Sequence, residues 1–569
     1  MFTRNKDHDF DMSFHNGGTV RRVISSFLFI YFIIVASGCT SSHEETGPFA
    51  LTISQEQVAS WVRNFNPLIP SGTSRWPTGS GIYEPLFIFN SIEGKYVPWL
   101  ATGYEWKDGN KVLDITIREN VLWSDGTPFS AHDVAFTFHL KKEHGGLDPR
   151  DSWGYLESVE ALDDQLVRFV FSRIYVPGLD GIAGQPIIPE HIWKHVEDPV
   201  KFANPNPVGT GPFTEIVKFD HQIWELGRNP NYWQEGKPAV DRLKFPAFPT
   251  NEQATIALIN GEVDWAGNFI PAIDRVFVGR DPENHHYWFP RTGGTIFFYM
   301  NTTKAPMDKI DVRKAISLAI NREQIVNVAM YNYTIPAHPT ALADGLSPWR
   351  SPEATEMGDW VTHDLERANS MLDSVGYPLG KDGFRRLPDG SVLSFDISIV
   401  SGWSDWIRAA QVISQNLKLV GIKTRVKTND FGAWFSQMQK GEFDMAIAWT
   451  EKGPTPFPLY RGLMSSEYLK PVGEIAETNW HRFSLPEVDS LCTAFEQTSD
   501  DREIRNIIYR LEELFVEYAP AIPLFAEPSW GQYNTKRFTN FPNKDNPYAL
   551  LSPNYPPENL LVLVNVVPK

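Results

Sequence analysis

Cysteine is nearly absent from this 569-residue chain, which has only Cys39 and Cys492. Two thiols cannot build a disulfide framework or a cysteine-rich metal site. Cys492 sits in the helix-patterned EVDSLCTAFEQ and reads as a small buried apolar residue. The HExxH and GxSxG signatures are missing, and Pro207–Phe213 (PVGTGPF) lacks the Gly-Lys-Ser/Thr ending of a phosphate-cradling loop. His285 and His286 are adjacent, whereas ligands converging on one metal need wider spacing, so neither metal nor cofactor is expected. No carboxylate pair stands out as a glycosidase site. Basic excess is lacking too. With 52 Lys+Arg against 69 Asp+Glu, net charge -17 and pI near 5.3, nucleic acid and anionic membrane surfaces are poor partners. Low-complexity tracts, heptads and tandem repeats are also missing.

What is present is aromatic. The chain carries 19 Trp, 19 Tyr and 37 Phe within a 42% hydrophobic composition, enough for several domains, three or four on length. Most of these rings belong in cores. The tryptophan excess is the compositional hint of function.

Arg21-Arg22 precede Val23–Val35 (VISSFLFIYFIIV), followed by Ala36, Ser37, Gly38 and Cys39. A basic stretch, a short apolar run and small residues before a junction describe a secretory signal, too short for a span of about 20 residues. The ending resembles the lipobox of bacterial lipoproteins, although Ala36 replaces the usual leucine. That resemblance implies a signal peptide over 1–38, lipidation of Cys39 and a tether over 39–50, with Met12 an alternative start. The mature chain is expected outside the cytoplasmic membrane, in the periplasm or at the cell surface, touching the bilayer through lipid alone.

Beyond Leu51, strand-like and helix-like segments alternate. Leu113–Arg118 and Leu166–Phe171 read as strands; Ala131–Leu140 reads as a helix opened by Ser130, and Asp311–Ile320 as another before the cap Asn321. The clearest unit runs from Ser394 to Trp449: SFDISIV, SGWSDW, IRAAQVISQNLKLVG, IKTRVKT, FGAWFSQMQKG, FDMAIAW. This is a βαβαβ pattern, hence α/β with parallel strands and right-handed crossovers. Ligands of such sheets bind outside the carboxyl ends of the strands. Trp403 and Asp405 follow the first strand and Trp449 ends the third, so all three are candidate ligand contacts, while Trp406 is expected to pack inward. Indoles stack on flat sugar faces while carboxylates and amides take the hydroxyls. A peptide would instead need an acidic group for its amine and main-chain partners.

Several segments together resemble the family 5 extracellular solute-binding proteins of ABC importers, the dipeptide/oligopeptide-binding superfamily. They are IYEPL (Ile82–Leu86), LWSDGTPFSAHDV (Leu122–Val134), IIPEH (Ile187–His191), PVGTGPF, RNPNYW (Arg228–Trp233), NGEVDW (Asn260–Trp265) and VRKAISLAINR (Val312–Arg322). The likeness covers residues 50–569. Within the family, VRNFNP (Val62–Pro67), HHYWFP (His285–Pro290), GWSD (Gly402–Asp405) and QYNT (Gln532–Thr535) resemble the branch binding cello- and chito-oligosaccharides.

The resemblance implies a bilobal periplasmic-binding-protein fold of type II with an extra subdomain. Lobe I would comprise 48–90, 206–302 and 525–569, with 91–205 inserted, and lobe II 303–524. It also implies ligand contacts from Trp403 and Asp405, from Trp530 (offset by one, onto Ser529), and from Arg75 with neighbouring Trp76. Asn64 in VRNFNP is a further candidate, with loop shaping as its other reading. Trp449 stands where a chito-oligosaccharide binder carries an asparagine, which favours cello-oligosaccharides. The expected role is a monomeric, non-enzymatic binding protein that captures a β-linked oligosaccharide and delivers it to permease subunits. The alternative is an oligopeptide binder, and a secreted glycoside hydrolase is the outlying reading.

Overall fold

The computed structural model describes residues 49–69, 79, 81–291 and 294–569. Cys39, Arg75 and Trp76 lie outside these described residues, as does the expected signal segment.

Among the described residues, seven strands form a first sheet in the order His285–Tyr287, Gln532–Asn534, Trp265–Ala266, Ala50–Ser54, Arg242–Pro246, Ile223–Arg228 and Phe213–Phe219. Its strands come from three separated stretches of chain. A second sheet has the order Lys423–Asn429, Ser394–Val400, Met445–Ala448, Thr295–Met300 and Ile522–Ala526. The third is antiparallel, with Ala101–Lys107, Val112–Ile117, Leu166–Phe171 and Leu156–Ala161 in that order.

Ser394–Val400 pairs in parallel with both Lys423–Asn429 and Met445–Ala448, so the expected βαβαβ unit is present. Its first helix, Ser404–Leu419, buries Trp406, Ala409, Ala410, Val412, Ile413, Asn416 and Leu417, the spacing of one helical face. The second, Phe431–Lys440, is capped by the Asp430 carboxylate, which accepts the Ala433 N–H, and ends on left-handed Gly441.

The boundaries expected at 302/303 and 524/525 differ from the observed sheets. Thr295–Met300 (TIFFYM) is buried throughout and pairs antiparallel with Met445–Ala448 and with Ile522–Ala526. Two strands expected at least partly in lobe I therefore belong to the second sheet, whose core runs from Ile296 to Phe525. A strand apolar on both faces must be sandwiched in a sheet, but periodicity does not say which sheet.

The chain crosses between the first and second sheets at two neighbouring segments, which are hydrogen-bonded to each other. The Trp288 N–H donates to Gly531 C=O (3.0 Å), Ser529 N–H to Pro290 C=O (3.2 Å) and Glu527 N–H to Gly294 C=O (3.0 Å).

The shared sequence motifs prove to be internal joints. Glu84 of IYEPL accepts hydrogen bonds from Trp99 Nε1 (2.7 Å), Tyr232 OH (3.0 Å) and Trp233 Nε1 (3.1 Å), the last two from RNPNYW. In LWSDGTPFSAHDV, Ser130 and Asp133 form a capping box on helix Ala131–Glu143, and Asp133 also accepts the Glu190 N–H of IIPEH. The glycines of PVGTGPF are needed for close approach, since a Cβ on Gly209 or Gly211 would collide with the Ile82 and Gly81 carbonyls. None of these groups faces a ligand cavity except through Tyr83 and Pro85.

Candidate functional site

Two cavities lie between the sheets, with volumes of about 410 and 420 Å³. Trp403, Asp405, Trp406, Trp449 and Trp530 line the first, together with Asn251, Asn268, Phe269, Lys452, Glu527, Asn554 and Tyr555. Four of the residues expected from sequence, Trp403, Asp405, Trp449 and Trp530, therefore meet around one space. Asn64 does not join them. Its Oδ1 accepts the Asn66 N–H at 3.1 Å, and Asn66 in turn bonds the Pro199 and Phe202 carbonyls, so this segment shapes a loop.

One wall is built from the carboxyl ends of the parallel strands. Trp403 directly follows the turn after Ser394–Val400, Phe431 and Trp434 follow Lys423–Asn429, and Trp449 follows Met445–Ala448. The Trp403 ring stands perpendicular to Trp406 at 4.8 Å and tilted to Trp449 at 6.3 Å. Trp449 stacks on Phe435 at 6.0 Å. Trp434 is fully buried and Trp406 nearly so, whereas Trp403 and Trp449 remain half-buried, backed by rings yet open to the cavity. Trp530 comes from the crossing segment and is held edge-on by Phe289 (4.9 Å) and Phe269 (5.5 Å). Its neighbour Ser529 is buried, so of the two offsets Trp530 is the cavity residue.

The glycine of GWSD has a mechanical reason. A Cβ on Gly402 would lie 2.5 Å from the Pro249 carbonyl oxygen, and the Gly402 C=O accepts the Asn251 N–H at 3.1 Å. The turn carrying Trp403 is thus pressed against the segment leading into helix Asn251–Ile259.

Asp405 lies in the first turn of helix Ser404–Leu419 and is 3% exposed. Burial raises its carboxyl to about 6, against the pull of the Trp406 and Asp405 N–H groups, Arg408 and Asn251. Also lining the cavity, Lys452 pairs with Glu527 Oε2 at 2.5 Å, and Tyr555 OH donates to Glu527 Oε1 at 2.5 Å. Burial works against the lysine charge, but Glu527 and Tyr555 hold its pKa above the ordinary lysine value. These two charges are satisfied by one another.

The amides are different. Asn268 Nδ2 donates to Thr255 Oγ1 (3.1 Å), Phe269 C=O (3.3 Å) and Asn251 C=O (3.4 Å), which fixes the side chain's orientation. Its Oδ1 has no hydrogen-bond partner among the described residues. Asn554 repeats the pattern, with Nδ2 on Gly267 C=O (2.7 Å) and Oδ1 unpartnered. Two amide oxygens of residues that line the cavity are therefore left without a donor, which suits a ligand that brings one. Sequence reasoning missed Asn251, Asn268, Lys452, Glu527, Asn554 and Tyr555, which lie on five different loops or helix ends and share no local motif.

Among the described residues no cluster of His, Cys, Asp and Glu could hold a metal, and no helix is long and apolar enough to cross a membrane.

Residues 95–468 match the family model for the bacterial extracellular solute-binding proteins, family 5. The chain belongs to this family. A structure of a periplasmic oligopeptide-binding protein of an oligopeptide ABC transporter from Thermotoga maritima, bound to mannohexaose, superposes with a TM-score of 0.85. It is 28% identical, and the match covers 92% of this chain and 99% of that one. The glutathione-binding protein GsiB of Salmonella typhi is 24% identical over 87% of this chain and 93% of its own length. The nickel-binding periplasmic protein of Escherichia coli K12 is 26% identical over 70% and 76% respectively. This family 5 protein has the bilobal type II periplasmic-binding-protein fold. It is an extracytoplasmic substrate-binding protein of an ABC importer, which hands its ligand to permease subunits, and not an enzyme.

Proposed function

We propose that this family 5 protein captures a β-linked oligosaccharide between its lobes, with cello-oligosaccharides preferred over chito-oligosaccharides. The observation that carries the reading is the cavity flanked by half-buried Trp403, Trp449 and Trp530 and rimmed by the carbonyls of Asn268 and Asn554. Hydroxyls supply donors to such a rim while ring faces lie on the indoles. In this reading Trp403, Trp449 and Trp530 stack and Asp405 accepts hydrogen bonds from hydroxyls, while Arg75 and Trp76, outside the described residues, remain candidate contacts from the family likeness. The lobes follow the two large sheets, with the four-stranded sheet as the inserted subdomain, and Cys39 carries the lipid anchor. The mannohexaose-bound neighbour supports a sugar ligand.

The names of the relatives favour the second reading, an oligopeptide: one is a glutathione-binding protein, and even the mannohexaose-bound neighbour is named for oligopeptides. Asp405 is the group that would meet a peptide amine. Peptide termini also need free charges, and Lys452 and Glu527 are already paired to each other.

A thermal-shift panel of cello-, chito-, manno- and xylo-oligosaccharides against short peptides separates the readings. A ligand binding only the folded state adds about 2.7 kcal/mol at a hundred times its Kd. Stabilisation by one sugar series supports the proposal; stabilisation by peptides alone overturns it.

A further inference from the structure

We infer that Arg173, Tyr175 and Val176 form a clasp that holds the ligand cleft closed from outside it, so that ligand residence depends on residues that never touch the ligand. They lie on the segment leaving strand Leu166–Phe171 of the four-stranded sheet. Their partners lie on two helices packed into the second sheet's core, Phe457–Met464 and Pro486–Gln497. Arg173 Nη2 donates to Glu496 Oε2 at 2.9 Å, the Val176 N–H to the Glu496 C=O at 2.8 Å, and Arg461 Nη1 to Tyr175 OH at 3.2 Å. Nearer the cavities, Arg150 Nε faces Glu477 Oε1 at 3.9 Å.

Two observations make this a contact that can part. The first is that it joins two separate cores. Tyr175, stacked on Tyr155 at 4.3 Å, belongs to the core of the first and third sheets, whereas Phe457 and Phe495, stacked at 4.0 Å, belong to that of the second. The link between them is polar, as in interfaces that open and close. The second is its place. Trp530 and Glu527 of the crossing segments line the first cavity; Arg150 and Glu477 line the second, and Arg461 adjoins its Gly462. The cavities thus lie between the crossing and the clasp. On the proposed assignment of the lobes, the clasp ties the inserted subdomain to lobe II, and a rotation about the crossing that opened the cavities would part it. Arg173 and Tyr175 line neither cavity, so they act as positioning residues.

The test measures distances by electron spin resonance between labels on Glu157→Cys and Lys470→Cys, exposed positions on either side of the clasp. The host is the full chain carrying Cys39→Ala; Cys492 is buried. Without ligand, Arg173→Gln combined with Tyr175→Phe should raise the population at the longer distance about threefold. Tyr175→Phe keeps the stacked ring, and Arg173 is partly exposed, so the fold should survive both changes. Arg168→Gln breaks an ion pair with Asp114 inside the four-stranded sheet and, as the control, should leave the distances unchanged. Cellohexaose should leave the double variant about threefold faster than wild type, with its association rate changed less than about twofold. Coincident distance distributions for wild type and double variant refute the clasp, as does an equal shift in the control or an unchanged dissociation rate. A shift in the distances without any binding of cellohexaose supports the clasp and overturns the cello-oligosaccharide reading alone.

Discussion

Asp405→Asn should make the empty protein more stable at pH 8 while weakening its hold on ligand. The carboxyl is buried and its pKa stands near 6 in the folded chain, against an ordinary value of 3.8. Between about pH 4 and 6 the folded state holds a proton that the unfolded state has released, so stability falls as pH rises through that window. At about 1.4 kcal/mol per unit, the ionised group costs the fold roughly 3 kcal/mol once pH exceeds 6. An asparagine carries no charge but gives up one acceptor facing the helix N–H groups, which returns about 1 kcal/mol or more of that gain. The expected net gain is on the order of 1–2 kcal/mol at pH 8 and none at pH 4, where wild type is already protonated. In the proposed site the carboxylate accepts ligand hydroxyls. Loss of a charged hydrogen bond worth about 1.5–3 kcal/mol should raise Kd roughly 10- to 150-fold at pH 7.5. Wild-type affinity should itself decline below pH 6. Melting curves of both proteins at pH 4 and pH 8, with calorimetric titrations, decide the matter. An equal deficit in stability at both pH values, with Kd unchanged, would refute the reasoning.

Trp403→Ala should cost about 1–3 kcal/mol of binding, the scale of aromatic stacking on flat ligand faces, while Trp434→Ala, fully buried behind it, should lower the melting temperature far more. If Trp403→Ala loses stability as Trp434→Ala does and binding survives, the ring is core. Lys452→Met leaves the Glu527 carboxylate with Tyr555 alone and should destabilise by about 1–3 kcal/mol, since both side chains keep some solvent access; adding Glu527→Gln should recover most of it in chemical denaturation, and no recovery would mean that the pair is incidental. Cys39→Ala should move the protein from membrane to soluble fractions without altering Kd, and persistence in the membrane pellet would sink the lipid anchor.

The legible parts of this molecule were local. The βαβαβ unit was readable because period-two and helical patterns alternate from Ser394 to Trp449, and strand ends in such a unit point to one edge. Trp403, Asp405 and Trp449 follow from that alone. Trp530 needed family likeness, because its segment is a crossing strand end with no periodic signal. The asparagines were illegible for a different reason. Asn268 and Asn554 are 286 positions apart by residue number, and each is recognisable only by which of its amide atoms the fold leaves unpaired. Which sheet Thr295–Met300 joins was not legible either, since a run apolar on both faces fits the interior of any sheet.

Trp530 sits on one of the two segments of chain that run side by side between the two large sheets, three residues past Glu527, whose N–H is tied to Gly294. On the proposed assignment of the lobes to the two large sheets, a rotation of one against the other would bend this short ladder and carry the indole with it. The ring is therefore not a passive surface on one jaw. A ligand stacked there would lean on the pivot itself, so that the angle between the lobes is reported at the ring and a ring held in place resists reopening. Ligands that reach the walls but not Trp530 should bind without locking the molecule shut, which separates occupancy from the shape a permease would read.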